Sequence, residues 1–520
     1  MCRLVRLKQE RINSLTQLKI DETKETKMNT KALPDGGELL AYLLAALSGC
    51  IFIALASSWT SPIFKNAYGF DASWYSLAGR AIVEGKVPYR DLFDLKGPTL
   101  FFYEAIGQFF VKGRGGIFLI QCISISASAI LIYKCARLYC TKIWSTVILL
   151  LFYFVYTDLL WGGNTVEELF MPFNLLCIFF ALKTLKDKNY ENVETKGFIF
   201  GVSFFIIFWA KMTVAAPMVA ATVTVFICLL IEKRYDAVFN AVKYFFFGGF
   251  CTSAPIIAYF MMRGALKDML FCVFQLGFKR GTDYYESFSL EWELNLMICS
   301  LVFIFSIILW LRKKTPLYIK IFMTASSVIT YALLHLGTPY TYYFINELPL
   351  YVCYLIFLPL LATKIKLKKV KSIVGAVASA AIFVTILIYF GQNSIDKINE
   401  NIDLYSSDNG NEYVRNVYEI YDEIPDNEKD QLYNLESGMI FYEILQEIPN
   451  NKYPVNLPYF LHLYPEIKTN VLDYLEIRKP NWIVSENLSE FDDEDIRNYV
   501  WSHYVQVKVN GAEELYWRVR

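Results

Sequence analysis

The stretch GFDASWYSLAGRAIVEGKVPYRDLFDLKGPTLFFYEAIGQFFV (Gly69–Val111) follows the first long apolar run of the chain, and its last third decides the fold. The segment Pro98–Val111 is apolar, but it is short for a membrane crossing and contains Glu104 and Gln108. We therefore predict an interfacial or re-entrant helix at this position. This choice sets the orientation of every later membrane span.

The composition is typical of a polytopic membrane protein. Of 520 residues, 55% are hydrophobic and only 19% are charged. Apolar runs of about twenty residues recur until residue 391, which excludes a soluble core and predicts an α-helical polytopic membrane protein with about eleven transmembrane helices. The predicted spans are 39–59, 116–134, 143–160, 168–183, 197–210, 212–231, 245–262, 294–311, 317–336, 343–362 and 372–391.

Basic loops orient these spans. With the N-terminus in the cytoplasm, the loops KCARLYCTK, KTLKDKNYENVETK, EKRYD, RKKTP and TKIKLKKVK all lie inside, as the positive-inside rule requires. The outer connections WGGNTVEE and HLGTPYTYY contain no Lys or Arg. Counting Pro98–Val111 as a span would place all five basic loops outside, so the interfacial assignment is preferred.

Three regions are predicted. Residues 1–38 form a cytoplasmic N-terminal segment without a cleavable signal peptide. Residues 39–391 form the transmembrane domain, with a first outer loop at 60–115. Residues 392–520 lie outside the cytoplasm and combine a helical segment, Glu412–Ile424, with the short apolar segments QLYNL, NWIVS, YVQVKV and ELYWRV. This tail is predicted to be a small extracytoplasmic α/β domain.

Charge and cysteine content narrow the functional classes. The net charge is zero and the pI is about 6.8, which gives no indication of a nucleic-acid partner. Eleven cysteines occur without CxxC or zinc-like spacing. We predict neither a disulfide framework nor a metal site.

Ionisable residues cluster at the predicted outer face. A carboxylate there suits a displacement in which an acceptor hydroxyl or amine loses its proton. Ionisable residues at a membrane edge are functional candidates, although a single aspartate such as Asp71 is also explained as a solvated surface carboxylate. The first outer loop and the next outer turn contribute Asp71, Asp91, Asp94, Lys96, Glu167 and Glu168.

Two lysines suit the stabilisation of negative charge on a departing phosphate. Lys96 precedes Gly97 and Pro98 at the start of the interfacial helix, and Lys211, in FWAKMTVAAP, interrupts apolar sequence at an outer membrane edge. Snorkelling to the interface explains Lys96 equally well. Lys211 has an alternative explanation as well, because lysines are common at helix ends.

Further candidates lie in later outer segments. His335, near the outer end of a predicted helix, either touches a donor phosphate or hydrogen-bonds within the bundle. Lys279 and Arg280, in FKRGTDYYESFSLEWE, suit a lid over a lipid phosphate and sugar, or an ordinary interfacial belt. Tyr342 and Tyr343 lie in YTYYFINELPLY before a late helix.

These motifs together resemble the C-type (GT-C) membrane glycosyltransferases, closest to the branch of protein O-mannosyltransferases and the lipid A aminoarabinose transferase. The resemblance rests on the early acidic residue, the spacing FDASWYSLAGRAIVEGKVPYRDLFDLKGP, the loop NTVEELF, a lysine in a later outer turn and YTYYFINELPLY. It covers most of the chain. Such enzymes transfer a sugar from a polyprenyl-phosphate donor on the outer face, usually with inversion.

The resemblance implies residue roles. Asp71 matches the carboxylate that acts as base or orients the acceptor, and Glu167 or Glu168 matches the second acidic position. Lys96 begins the match to a Lys-Pro-Pro-Leu element in which Gly97 replaces the first proline. The pair Tyr342–Tyr343 stands where many members have His-Tyr, so the histidine role is lost or moved.

The implied partners are a polyprenyl-phosphate sugar donor, an unidentified extracytoplasmic acceptor and membrane lipid. No cofactor is predicted, and the family carboxylates leave a divalent-cation requirement open. A polyprenyl-linked glycan polymerase or ligase is the alternative function, although such enzymes usually have a large central outer loop. A transporter would have charges buried mid-helix and two repeated halves, and neither is visible in the sequence.

Overall fold

The computed structural model describes most of the chain. The described residues are 36–279, 291–335, 341–362, 388, 391–403, 412–436, 438–454 and 457–519. They group into two compact units, one ending at Ala45 and one beginning at Ala46. Within the first unit, the described residues belong to the start of a single helix. Every contact discussed below lies in the second unit.

Helices dominate the first 362 residues. Among the described residues, eight helices are long and apolar enough to cross a membrane, and they coincide with eight of the eleven predicted spans. Predicted spans 197–210 and 294–311 fall on helices with shorter apolar stretches, and 372–391 lies almost wholly outside the described residues, so the count of eleven stays a prediction. The helices are α1 Gly36–Ala56, α2 Phe70–Val83, α3 Pro98–Phe110, α4 Arg114–Arg137, α5 Lys142–Leu159, α6 Val166–Asp187, α7 Val193–Phe208, α8 Ala216–Ile231, α9 Tyr235–Met262, α10 Leu266–Leu270, α11 Glu291–Leu311, α12 Leu317–His335 and α13 Leu348–Ala362.

The first outer loop, predicted at 60–115, runs from residue 57 to residue 113 between α1 and α4 and is folded rather than extended. Its helix α2 was not predicted from the sequence, and ten of its fourteen residues are buried. Helix α3 has thirteen residues, which at 1.5 Å per residue is about 20 Å and shorter than the hydrocarbon core of a membrane. Its Leu100 and Phe101 are buried, whereas Phe109 and Phe110 near its end are exposed. Helix α3 therefore presents one apolar end on the protein surface, as an interfacial helix would.

The tail contains a four-stranded sheet between Leu432 and Arg518, in the strand order β1-β2-β4-β3. Strands β1 and β2 are parallel, and the β2–β4 and β4–β3 pairs are antiparallel. All four strands form in the segments whose apolar residues indicated them. Residues 391–403 are also helical. The tail elements are α14 Glu412–Tyr421, β1 Leu432–Asn434, α15 Gly438–Leu445, α16 Leu457–Leu463, α17 Glu466–Arg478, β2 Trp482–Ser485, α18 Glu494–His503, β3 Tyr504–Asn510 and β4 Glu513–Arg518.

A buried ion pair joins the tail to the first loop. Arg80 Nη1 of α2 lies 3.0 Å from Glu443 Oε2 of α15, and the two side chains are 4% and 1% exposed. The same guanidinium donates to Gln446 Oε1 (2.8 Å) and to backbone carbonyls of α15 and the following turn. Ser76 Oγ donates to Glu443 Oε1 (2.9 Å) and accepts from Gln108 Nε2 of α3 (3.0 Å). The two helices of the first loop and the tail thus share one polar network.

Candidate active site

Helix α2 begins where the chain packs against an indole ring. A Cβ at Gly69 would lie 2.0 Å from the ring of Trp59, and a Cβ at Gly162 would lie 2.2 Å from it. Only glycine lets the backbone approach the indole this closely. Trp59 N also donates to Gly162 O (2.9 Å). The ring therefore fixes the start of α2, and with it Asp71 in the first turn, against the turn that precedes α6.

Asp94 shapes the backbone that carries Lys96. Its carboxylate accepts hydrogen bonds from the Trp74 indole N–H, from Leu95 N and from Lys96 N (2.9 Å). The Tyr89 hydroxyl donates to Lys96 O (2.7 Å). Asp94 is 5% exposed. This geometry supports a positioning role for Asp94.

Gly97 brings two segments together. Gly97 N donates to Ala210 O (2.9 Å), and Thr99 N donates to Trp209 O (3.1 Å). A Cβ at Gly97 would lie 1.9 Å from Trp209 O, so any side chain would collide with the backbone. A proline there would also lack the N–H that bonds to Ala210. Gly97, which replaces the first proline of the Lys-Pro-Pro-Leu pattern, is therefore required for the close contact with Trp209 and Ala210, the two residues before Lys211.

Lys211 and Glu167 form the second charged pair. Lys211 Nζ lies 2.6 Å from Glu167 Oε1, and the side chains are 23% and 3% exposed. The ammonium also lies 3.8 Å from the ring centroid of Tyr343. The short turn Met212–Ala215 that follows Lys211 is held by Asn174 Nδ2 and Asn346 Nδ2, which donate to its carbonyls (2.8 and 2.9 Å). Two segments distant in sequence, α6 and the turn Thr341–Glu347, therefore fix one lysine and the turn that follows it.

The two neighbouring glutamates point to different partners. Helix α6 begins after Thr165, whose hydroxyl accepts from Glu168 N, as is common at an N-cap. Glu168 Oε1 accepts from Gln121 Nε2 (2.5 Å), and its Oε2 accepts from Asn164 N (3.1 Å). Glu168 therefore braces the turn, whereas Glu167 carries the ion pair with Lys211.

Lys96 pairs with Asp71 above a buried tyrosine. Lys96 Nζ lies 3.6 Å from Asp71 Oδ1, with side chains 16% and 31% exposed, and 5.0 Å from the ring centroid of Tyr75. Burial raises the pKa of Tyr75 well above its usual range, and Asp71 and Tyr342 add to the shift. The sequence analysis missed Tyr75, although its spacing of four residues from Asp71 places both on one face of a helix.

An aromatic wall completes this face. The rings of Tyr342 and Tyr343 lie 4.6 Å apart, and Trp161 stacks on Tyr342 with ring centroids 5.1 Å apart. Tyr342 is buried, whereas Trp161 is 48% exposed. Trp161, in the WGGN turn, was also missed by the sequence analysis. We define the candidate site by the side chains of Asp71, Tyr75, Lys96, Glu167, Lys211, Tyr342 and Tyr343.

The other predicted site residues lie in different surroundings. Asp91 accepts from Val87 N and from its neighbour Arg90 (2.7 to 2.8 Å). Burial raises the pKa of Asp91, but these hydrogen bonds outweigh it and hold the pKa below its usual value. Lys279 lies 6.0 Å from the ring centroid of Tyr464. Arg280 and the side chain of His335 lie outside the described part of the chain.

The two charged pairs lie around one tyrosine, because both Asp71 and Glu167 act electrostatically on Tyr75. The lysines can stabilise negative charge on a phosphate oxygen, and a carboxylate can accept a proton. Among the described residues, no group of three or more His, Cys, Asp and Glu side chains could hold a metal ion.

Glu104 of α3 is a buried acid between the site and the tail. It is fully buried, and within the described chain neither of its carboxyl oxygens has a hydrogen-bond partner. The Asn164 side chain lies near it, outside hydrogen-bond geometry. Burial raises the pKa of Glu104 to about 8; Asn164 lowers it, whereas Glu443 and Glu168 raise it. Glu104 is therefore predominantly protonated at neutral pH.

We expect Glu104→Gln to flatten the pH dependence of stability. The folded protein holds this proton up to about pH 8, whereas the unfolded chain releases it near pH 4.5. Stability therefore falls as the pH rises from about 4.5 to about 8, and the variant lacks this loss. The Tm of the purified Glu104→Gln variant and of the wild type is measured from pH 5 to 9. The variant's Tm should exceed that of the wild type most at pH 9. The exposed Glu84→Gln is the control, and an unchanged pH slope in Glu104→Gln would contradict the assignment.

The fold is similar to that of a solved membrane enzyme. No family model matches the chain, and no curated protein matches it in sequence. The crystal structure of ArnT from Cupriavidus metallidurans bound to undecaprenyl phosphate superposes with a TM-score of 0.62 at 11% identity, covering 93% of this chain and 98% of that one. The apo structure of the same enzyme gives 0.61 at 10% identity with the same coverage. ArnT is an aminoarabinose transferase of the C-type glycosyltransferases, so the predicted resemblance is confirmed for the fold.

Proposed function

We propose that the chain is an integral membrane glycosyltransferase that moves a sugar from a polyprenyl-phosphate donor to an acceptor at the outer face, with inversion. The observation that carries the proposal is the pairing of Lys96 with Asp71 and of Lys211 with Glu167 on one face. The fold supports it, because the similar ArnT has been crystallised with undecaprenyl phosphate. The basic loops at the opposite ends of the spans support an outer location for the site.

Each charged pair has a proposed role. Lys96 and Lys211 bind the donor phosphate and stabilise the charge that develops as it leaves. A lysine ammonium has three N–H donors, so it can hold its carboxylate and a phosphate oxygen together. Glu167 orients Lys211, and Asp71, the more exposed carboxylate, accepts the acceptor's proton or orients the acceptor. Glu168 supports the site indirectly, because its hydrogen bonds to Gln121 and Asn164 hold the turn from which Glu167 projects.

The remaining predicted residues have secondary roles in this proposal. Asp94 holds the Lys96 backbone, Tyr342 and Tyr343 form the wall against which the donor lies, and Asp91 stabilises the turn of the first loop. His335, Lys279 and Arg280 stay candidates for contacts with the donor. The division between a transmembrane domain and an extracytoplasmic α/β tail at residue 391 is likewise part of the proposal.

A donor panel tests the function. Purified protein in lipid is offered polyprenyl phosphates that carry different hexoses and pentoses, and released polyprenyl phosphate is measured. We expect one donor to be consumed, and Lys211→Gln to lower that rate about 10²-fold or more because a charge at the leaving phosphate is lost. The exposed Lys267→Gln is the matched control. If no donor is consumed, or if Lys211→Gln matches the wild type, the proposal fails and a polymerase, ligase or transporter must be considered.

A further inference from the structure

An apolar crevice opens between four helices at the end of the bundle remote from Lys211. Helices α6, α7, α8 and α9 line it, and its volume is about 300 Å³. Thr184, in the wall, comes seventeen residues after Glu167 along α6, which is about 25 Å along a helix axis. The crevice is therefore separate from the candidate site. Its wall includes Phe180, Phe200, Val225, Leu229 and Phe245.

Tight helix packing holds the crevice open. Helices α7 and α9 approach so closely that a Cβ at Gly197 would lie 2.4 Å from Ala241 O, and a Cβ at Gly201 would lie 2.0 Å from Phe245 O. Small residues allow such backbone contact between membrane helices. Because these two helices are already in contact, they cannot move further together to close the space beside them. The space therefore stays open to an occupant from the surrounding membrane.

The mouth of the crevice carries a positive charge. Lys196, near the start of α7, lines the crevice, and its Nζ donates to Asn189 O (3.0 Å). Among its charged neighbours, Lys183 pairs with Asp187 and Arg234 pairs with Glu232. The carboxylate of Glu191 also attracts the Lys196 ammonium, at a longer range than an ion pair. Within the described residues Lys196 forms no ion pair. Its ammonium group therefore has donors available for an anionic headgroup.

The crevice has the polarity of a lipid chain site and the length of part of one chain. From Lys196 to Phe200, and from Leu229 back to Thr222, the lining runs about 6 to 10 Å along the helix axes. Charge lies only at the mouth, and the interior is built from hydrocarbon and aromatic groups. Basic pockets between membrane helices bind anionic lipid headgroups.

We propose that this crevice binds the part of one acyl chain nearest the headgroup of an anionic phospholipid whose phosphate contacts Lys196. The apolar interior takes the chain, and the lysine at the mouth selects the charged headgroup. A donor lipid has no reason to occupy it, because its phosphate would lie far from Lys96 and Lys211. The site is independent of the proposed transferase function.

Retained lipid, measured by native mass spectrometry, tests the proposal. The full-length protein is purified, stripped with detergent and offered phosphatidylglycerol and phosphatidylcholine with matched chains. We expect the wild type to retain one phosphatidylglycerol in preference to phosphatidylcholine. Val225→Trp, which fills the crevice, should reduce this retention at least tenfold. Val223→Trp, on the exposed side of the same helix, is the matched control and should retain it.

Lys196→Gln separates the headgroup from the chain. This variant should still retain a lipid but lose the preference for phosphatidylglycerol. A phosphatidylglycerol with a photoreactive acyl chain, cross-linked to the wild type, should label the peptide of α8 that contains Leu229, which tests the site even if Val225→Trp fails to fold. Three outcomes for the wild type would overturn the proposal: no retained lipid, no preference for phosphatidylglycerol, or stronger retention of a polyprenyl phosphate. Donor turnover is not a readout, so these outcomes do not depend on the transferase assignment.

Discussion

Asp71→Asn is expected to lower the rate of donor consumption by about 10²- to 10⁴-fold, the usual contribution of a general base. Asparagine keeps the size of the side chain but cannot accept the acceptor's proton. It also removes the negative charge 3.6 Å from Lys96 Nζ. The measurement is release of polyprenyl phosphate from the donor that the wild type consumes, with kcat and KM determined separately.

The same substitution should leave the fold intact. Asp71 is 31% exposed and its ion pair with Lys96 is long, so the pair contributes at most about 1 kcal/mol to stability. The Tm should therefore match that of the wild type, and the exposed Asp187→Asn should retain full activity. A wild-type kcat with a raised KM would show that Asp71 only orients the acceptor. A wild-type rate throughout would remove Asp71 from the mechanism.

Arg80→Ala is expected to destabilise the protein by about 3–5 kcal/mol. The substitution leaves Glu443 buried without its partner, which is the costly way to break a buried ion pair. Burial raises the pKa of Glu443, although Arg80 and Ser76 lower it. Loss of Arg80 removes the largest of these opposing influences. Gln446 Oε1 and the Glu447 carbonyl lose the Arg80 donor as well, whereas the Tyr442 carbonyl keeps the Glu447 N–H.

Thermal unfolding and limited proteolysis check this prediction. We expect a Tm lower by several degrees and faster cleavage within the tail, because α15 loses its ion pair with α2. Arg80→Met combined with Glu443→Met should recover part of the loss, since an apolar pair has no buried charge. The control is Lys508→Ala, which breaks an exposed pair with Glu423. A Tm within one degree of wild type for Arg80→Ala would argue that the tail is held by other contacts.

The two predictions are linked through α2. This helix carries Asp71 at its start and Arg80 nine residues later, so the tail stabilises the element that presents the proposed base. Arg80→Ala should therefore reduce activity as well as stability, whereas Asp71→Asn should reduce activity alone. That contrast separates a residue that acts on substrate from one that positions the loop.

Several site residues were accessible from sequence and several were not. Asp71, Lys96, Glu167 and Lys211 stood out because ionisable residues beside membrane spans are functional candidates. The structure joins them in two ion pairs near Tyr75. Tyr75 was missed because α2 was treated as loop. The choice between Glu167 and Glu168 depended on the rotation of α6 relative to Gln121 and Lys211, which adjacent positions in the chain do not reveal.

By itself, the sequence determined the eight apolar spans found among the described residues and the four strands. A span depends on local hydrophobic length, because a helix in lipid must satisfy its backbone hydrogen bonds within the segment. A strand depends on short apolar runs between turns. Only the tertiary structure decided that Gly97 lies against Trp209, that Lys211 pairs with Glu167 and that Arg80 pairs with Glu443. These contacts join residues between 44 and 363 positions apart, and their partners are chosen by packing rather than by any pattern along the chain.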